Sequence, residues 1–199
     1  MNLARRVVAA LLETEFDDDE MLRQMGELVS QLTNPPAFEP NTTFVRATGR
    51  SEDIMEAGLD ALKSLVPSLY DKLISGYSDE IEALERVKSG EHQDDDDLAT
   101  VDYFTYEVLD RILNDFCKPF TYVGSHEADG DYGCWVNHEG LEEAENDGEV
   151  TKFLTSDPRT VQFEEGRLQV PTKYVWIHND DDYGDTLYFA NSRKMIWSA

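Results

Sequence analysis

Three short apolar segments near the C-terminus decide the fold: Tyr174-Val175-Trp176-Ile177-His178, Thr186-Leu187-Tyr188-Phe189 and Lys194-Met195-Ile196-Trp197. Each is rich in β-branched and aromatic residues, which suit a pleated and half-buried surface. The acidic segment from Asn179 to Asp185 separates the first two segments, and Asn191-Ser192 lies between the second and the third. Turn-forming residues at both places predict two hairpins. The three segments are therefore expected to form an antiparallel meander.

Working back toward Pro119, similar short runs recur between turn residues. They cover residues 120–123, 133–136, 150–154 and 161–163. Between the second and third runs, Glu139 to Asn146 has the composition of a short acidic helix. Residues 119–199 are thus predicted to form a mainly antiparallel β-sheet portion.

Before Pro119 the apolar spacing becomes helical. A long helix with a broad apolar face is predicted from the acidic run at Asp94–Asp97 to Pro119, and shorter helices are predicted to begin near Ser51, Pro67 and Ser78. A short extended piece is expected within residues 42–47, and two helices are expected before Asn34-Pro35-Pro36. The predicted fold class is α+β, with a helical portion over residues 1–118 and a sheet portion over residues 119–199, joined in one composite domain.

The charge of the chain excludes several functions. With 17 basic and 42 acidic residues among 199, the formal net charge is −25 and the isoelectric point is near 4.2. Up to Lys118 there are 11 basic and 26 acidic residues, and from Pro119 there are 6 and 16, so both halves are acidic. Such a surface repels nucleic acids and anionic lipids, so direct binding to either is not expected.

The N-terminal segment predicts an amphipathic helix rather than a secretory signal. Its apolar stretch ends at Glu13, and Leu3, Val7 and Leu11 fall at helical spacing. No run approaches the roughly 20 apolar residues that a transmembrane helix needs. We therefore expect a cytoplasmic protein with reduced cysteines.

Motifs of the common enzyme classes are missing from the sequence. It contains no phosphate-binding glycine loop, no Gly-x-Ser-x-Gly turn and no His-Glu-x-x-His. The run Asn179–Asp185 begins like a calcium loop but has Tyr183 at the fifth position, so a hairpin tip explains it more simply. No catalytic residue and no cofactor are predicted. Zinc-type ligands occur within one short stretch, without a Cys-x-x-Cys pair, at Cys117, His126, Cys134 and His138.

The acidic residues are arranged in rows on the predicted helices. Like charges at i, i+3 and i, i+4 destabilise a helix by roughly 0.2–0.5 kcal/mol per pair, so selection for stability alone would tend to alternate the signs. Carboxylates about 6 Å apart instead approximate the spacing of phosphates along a nucleic-acid strand. The predicted partner-binding residues are Glu52, Glu56, Asp60, Asp79, Glu82, Asp94, Asp95, Asp96, Asp97, Glu139, Glu142, Glu143 and Glu145.

Several short motifs resemble uncharacterised small acidic proteins of bacteriophages and proteobacterial mobile elements. They are the turn Tyr122-Val123-Gly124-Ser125-His126, the strand Gly133-Cys134-Trp135, the hairpin around Asn179–Tyr188 and the closing Trp197-Ser198. The opening Asn2–Val7 is similar to starts in the same group. Asp181 and Asp182 stand where that group has a His-Gly turn. The resemblance implies an origin in a mobile element and no particular activity.

These observations lead to one expected function and two alternatives. The first expectation is a non-enzymatic, phage-type protein whose carboxylates mimic a nucleic acid and block a basic groove on a host defence or nucleic-acid-processing protein. A zinc-dependent enzyme or metal-stabilised module is one alternative. The other is a structural or regulatory phage protein whose acidity is incidental. The acid excess by itself would also fit a cytoplasmic protein of a halophile, or a surface that serves solubility alone. The oligomeric state is left open.

Overall fold

The computed structural model describes residues 36–91, 95–126, 128–154, 172–178, 184–192 and 194–199. After one short strand, helices dominate the first half of these ranges and strands the second, so the predicted α+β class is confirmed. The helices predicted before Pro35, the strand predicted over 161–163 and most of the acidic hairpin tip lie outside the described residues. Every element below belongs to one compact unit, Ala37–Ala199.

Three helices follow the first strand, β1 (Thr42–Val45). They are α1 (Ser51–Leu65), α2 (Pro67–Gly76) and α3 (Ser78–Ser89). Proline opens α2, where its missing N–H costs nothing, and Gly90 ends α3 in the left-handed conformation at φ 74°. All three therefore start and stop close to the sequence signals that predicted them.

The long predicted helix contains a π-helical segment. It consists of α4 (Asp95–Tyr103), the π segment Phe104–Leu109 and α5 (Asp110–Asn114). Helix α1 packs closely against it at Gly58, where a Cβ atom would lie 2.9 Å from a Leu109 methyl group. Phe104, Leu109 and Leu113 are fully buried, so the π turn lies in the core of the helical region.

The first sheet joins the two halves of the sequence. Its order is β1–β3–β2, with β2 (Thr121–Ser125) and β3 (Tyr132–Val136) forming an antiparallel hairpin and β1 pairing with the other edge of β3. At Gly133 the β1 backbone comes so near that a Cβ atom would lie 2.2 Å from the Thr42 carbonyl oxygen. Glycine is therefore required for this pairing.

The second sheet has the order β4–β5–β6–β7. Its strands are β4 (Val150–Leu154), β5 (Tyr174–His178), β6 (Thr186–Phe189) and β7 (Met195–Ser198). Strands β5, β6 and β7 form the antiparallel meander that the sequence predicts. Strand β4 pairs with β5 in parallel, which the sequence did not indicate. Helix α6 (His138–Asn146) connects β3 to β4.

Two hydrophobic clusters make up the core of this unit. One lies between the helices and the first sheet, and the other lies between α6 and the second sheet. The segment around Pro119 connects them: the Trp197 indole N–H donates to the Pro119 carbonyl at 2.8 Å, and the Phe120 ring packs edge-on against Tyr174. None of the described helices combines the length and apolar character that a membrane crossing requires.

Candidate functional site

The predicted partner-binding carboxylates on α1 are largely occupied within the protein. Glu52 is buried and forms an ion pair with Arg50 at 2.7 Å. Glu56 is exposed but bonds Lys88 of α3. Asp60 is exposed and lines a shallow groove of about 390 Å³ beside β1. Because Glu52 faces inward, the three residues do not form a continuous solvent-facing row.

A second group of candidates surrounds Arg86 of α3. Its guanidinium bonds Asp97 at 2.8 Å and lies 3.7 Å from Glu82, and these carboxylates raise the pKa of Arg86, with the Asp97 hydrogen bond as the main cause. Asp79 and Asp96 are exposed. Asp94 and the side chain of Asp95 lie outside the described residues. This group is therefore partly neutralised by a single arginine.

Helix α6 differs from both groups because its glutamates have no cationic partner in the described part of the chain. Leu141 and Ala144 are buried against the second sheet, and the remaining face carries Glu139, Glu142, Glu143 and Glu145, all exposed. Within the described ranges, no Lys or Arg forms an ion pair with any of these four. We call this surface the α6 acidic face.

A groove of about 630 Å³ begins at the first turn of α6, within the 300–1,000 Å³ typical of ligand pockets. Strand β2 and the residue after it form one wall, and the end of β3 with the start of α6 forms the other. We call it the histidine groove, since two of the four histidines of the chain lie in it. The lining residues are Tyr122, Ser125, His126, Val136, Asn137, His138 and Glu139.

His126 is held in the groove by an indole and a carboxylate. Its ring lies over Trp135 with the centroids 4.6 Å apart, and its Nδ1 is 3.0 Å from Asp129 Oδ1. The same oxygen accepts the Asp131 backbone N–H, and this bond, followed by the His126 interaction, lowers the pKa of Asp129. An ionised Asp129 favours the tautomer in which Nδ1 carries the hydrogen and Nε2 is an acceptor.

His138 on the opposite wall has a similar environment. Asp185 is buried, and its Oδ2 lies 3.7 Å from His138 Nδ1 while its Oδ1 lies 2.8 Å from His178 Nδ1. The Trp176 ring packs edge-on against His138 and at a tilt against His178. Oδ2 has no hydrogen-bond partner among the described atoms, so its charge acts on His138 across the remaining gap. One buried carboxylate thus hydrogen-bonds one imidazole and lies close to a second.

The four predicted zinc ligands separate into two places. The Cys117 and Cys134 thiols interact with each other between α5 and the first sheet, and this interaction, followed by burial, raises the pKa of Cys117. His126 and His138 instead face the groove beside Asp129 and Asp185. In the part of the chain that the structure describes, no three His, Cys, Asp or Glu side chains are arranged to hold a metal ion.

Asp185 and His178 were not among the residues predicted from the sequence, although the sequence contains a signal for this pair. In the predicted meander, the residue ending the first strand lies opposite the residue preceding the second, and the register Ile177↔Thr186 continues to His178 and Asp185. The contact of Trp176 with His138 gave no comparable signal, because it joins the second sheet to a helix far away in the sequence.

The geometry therefore defines an acidic α+β protein with a polar groove at one end of the α6 acidic face. No protein-family model matches the sequence, and comparisons with curated proteins and with solved structures find no match.

Proposed function

We propose that this chain is an acidic interaction protein that binds a basic surface on a partner protein through the α6 acidic face. The observation that carries the proposal is the contrast between α6 and the other helices. On each of α1, α3 and α4 at least one carboxylate has an arginine or lysine partner, as Glu52, Glu56, Glu82 and Asp97 do. On α6, Glu139, Glu142, Glu143 and Glu145 have none among the described residues.

The energetics of α6 support this role. Glu139 lies at i, i+3 from Glu142 and at i, i+4 from Glu143, so these carboxylates repel one another along the helix. Glu145 and Asp147 lie at the C-terminal end, where the helix dipole disfavours negative charge. A basic partner would relieve both costs on binding.

The spacing of the glutamates on α6 suggests what kind of partner surface would bind them. Glutamates about 6 Å apart on a helix approximate the spacing of phosphates, so a partner surface that otherwise binds nucleic acid would be complementary. The resemblance to acidic proteins of phages and mobile elements supports a host defence or nucleic-acid-processing protein as that partner, encountered in the bacterial cytoplasm.

A capture experiment tests the proposal. The full chain, immobilised, is exposed to bacterial host lysate at 50 and 500 mM NaCl, and bound proteins are then challenged with double-stranded DNA. We expect capture at low salt only, displacement by DNA, and at least a tenfold loss of capture in the triple variant E142Q/E143Q/E145Q, because association depends on unscreened charge.

The matched control removes three exposed carboxylates elsewhere. Asp71→Asn, Glu85→Gln and Asp102→Asn reduce the net negative charge by the same amount as the α6 variant without altering α6. If this control loses capture as strongly as the α6 variant, total charge alone controls binding and the assignment to α6 is wrong. Capture that resists both 500 mM NaCl and DNA would contradict mimicry of a nucleic acid.

A further inference from the structure

The histidine groove contains acceptors on both walls. His126 directs Nδ1 to the Asp129 carboxylate at 3.0 Å, which makes Nε2 the acceptor nitrogen of its neutral ring. His138 places Nδ1 3.7 Å from Asp185 Oδ2, which is too far for a hydrogen bond, and offers one acceptor nitrogen when neutral. The two side chains are 39% and 55% exposed, so both rings are accessible from the groove. Glu139 adds a carboxylate at the rim.

No cation among the described residues lines this groove. Its formal charge is therefore negative through Glu139, and Asp129 and Asp185 add negative potential behind the two imidazoles. The side chain of Asp185 is only 7% exposed, and its unpartnered Oδ2 faces His138. This negative potential favours a cationic ligand. An anion would be repelled by the carboxylates of Glu139, Asp129 and Asp185.

The shape of the groove favours a planar cation. Tyr122 lies across Gly124, where a Cβ atom would be 3.2 Å from the ring, so an aromatic side chain forms part of the β2 wall. A guanidinium has five donors in one plane and stacks on aromatic rings, whereas the lysine ammonium is a strongly hydrated point charge with three donors. The acceptor atoms of His126, His138 and Glu139 therefore suit a guanidinium better than an ammonium group.

We propose that the histidine groove receives an arginine side chain from the basic partner. This inference rests on the proposed function and specifies the residue that makes contact at the N-terminal end of the α6 acidic face. The acidic face attracts basic surfaces in general, and the groove selects one that projects an arginine.

The test uses the full chain labelled with ¹⁵N in its histidine rings. N-acetyl-L-arginine methylamide, its lysine counterpart and inorganic phosphate are titrated separately at constant ionic strength, and the ring signals are followed by NMR. We expect saturable shifts of His126 and His138 with the arginine probe and at least fivefold weaker binding of the lysine probe. Signals are assigned with His126→Gln and His138→Gln.

A variant pair controls for the general electrostatic field. Glu139→Gln, at the groove rim, should raise the Kd of the arginine probe at least fivefold, while Glu145→Gln, on the same helix outside the groove, should change it less than twofold. Equal responses to arginine and lysine, equal effects of the two variants, or shifts produced by phosphate instead of arginine would each overturn the inference.

The inference and the proposed function can fail separately. If host-protein capture depends on Glu142, Glu143 and Glu145 but the arginine probe does not bind, the groove assignment is wrong and the interaction role stands. If the arginine probe binds as expected but the α6 triple variant captures host proteins as well as the parent, the groove assignment stands and the proposed role of α6 is wrong.

Discussion

At the residue scale, a buried tyrosine–aspartate pair joins the long helix to the first sheet. The Tyr132 hydroxyl donates to the Asp110 carboxylate, and Tyr132 is fully buried. Burial, followed by the charge of Asp110, raises the pKa of Tyr132. Burial also raises the pKa of Asp110, although the Tyr132 hydrogen bond opposes this shift. The neutral tyrosine is therefore the form that the fold stabilises.

This pair predicts how stability changes at alkaline pH. Because the pKa of Tyr132 is higher in the folded chain than in the unfolded chain, its contribution is complete below pH ~10 and is lost as the pH rises further. The free energy of unfolding, measured by urea denaturation between pH 8 and 11, should fall above pH ~10. Tyr132→Phe should reduce this fall and cost about 1–3 kcal/mol at pH 7, because Asp110 loses its donor.

Tyr103→Phe is the control for that measurement, since the Tyr103 side chain is 63% exposed. It should keep both the neutral-pH stability and the alkaline slope of the parent chain. An alkaline slope that is the same in Tyr132→Phe and in the parent would show that Tyr132 does not couple ionisation to folding.

At the element scale, the sequence predicts elements better than it predicts their partners. The meander β5–β7 was predictable because its strands are sequential and turn residues separate them. Strand β1 was expected as an extended piece, but its pairing with β3 depends on residues far along the chain. The π segment was hidden because its apolar residues continue the helical stripe. Local periodicity carries no information about either feature.

The candidate site was likewise predictable only where local spacing along the sequence determines it. Spacing on a helix identified the glutamates of α6, and the structure leaves them exposed. It also selected Glu52, whose burial against Arg50 depends on how α1 packs. Asp185 could be placed opposite His178 from the hairpin, but its approach to His138 joins α6 to the second sheet. That contact can be identified only from the tertiary structure.

The pairing of β1 with β3 gives a prediction for one glycine. In Gly133→Ala the new methyl group would lie 2.2 Å from the Thr42 carbonyl oxygen, and because that atom is backbone, the two strands must separate. We expect a loss of about 1–3 kcal/mol in the free energy of unfolding, as for other substitutions that overpack a close contact. Hydrogen exchange should also become faster at Thr42 and Thr43.

Gly49→Ala is the matched control, because a Cβ atom there meets nothing within 4 Å. Its free energy of unfolding and its exchange rates should stay close to those of the parent. If Gly133→Ala were as stable as Gly49→Ala, the close approach of β1 to β3 would not exist in solution.

At the scale of the whole molecule, the net charge of −25 opposes folding. Some of the carboxylates are neutralised locally, as at Arg50, Arg86 and Lys88. The α6 acidic face has no such compensation among the described residues. Self-repulsion in the free protein is therefore expected to be largest on the surface to which we assign partner binding.

This distribution predicts that salt stabilises the protein and that α6 accounts for much of the effect. The Debye length falls from roughly 14 Å at 0.05 M to roughly 4 Å at 0.5 M, so repulsion between exposed carboxylates is largely screened at the higher concentration. The Tm measured by calorimetry should rise by several degrees over this range in both NaCl and KCl. The variant E142Q/E143Q/E145Q should start from a higher Tm and gain less from salt, whereas D71N/E85Q/D102N should retain most of the salt dependence.

A Tm that falls with salt, or equal salt dependence in both triple variants, would contradict repulsion centred on α6. A chain that is unfolded at 0.05 M salt and 25 °C would instead indicate adaptation to a saline cytoplasm, because the acid excess would then serve folding at high salt rather than a partner.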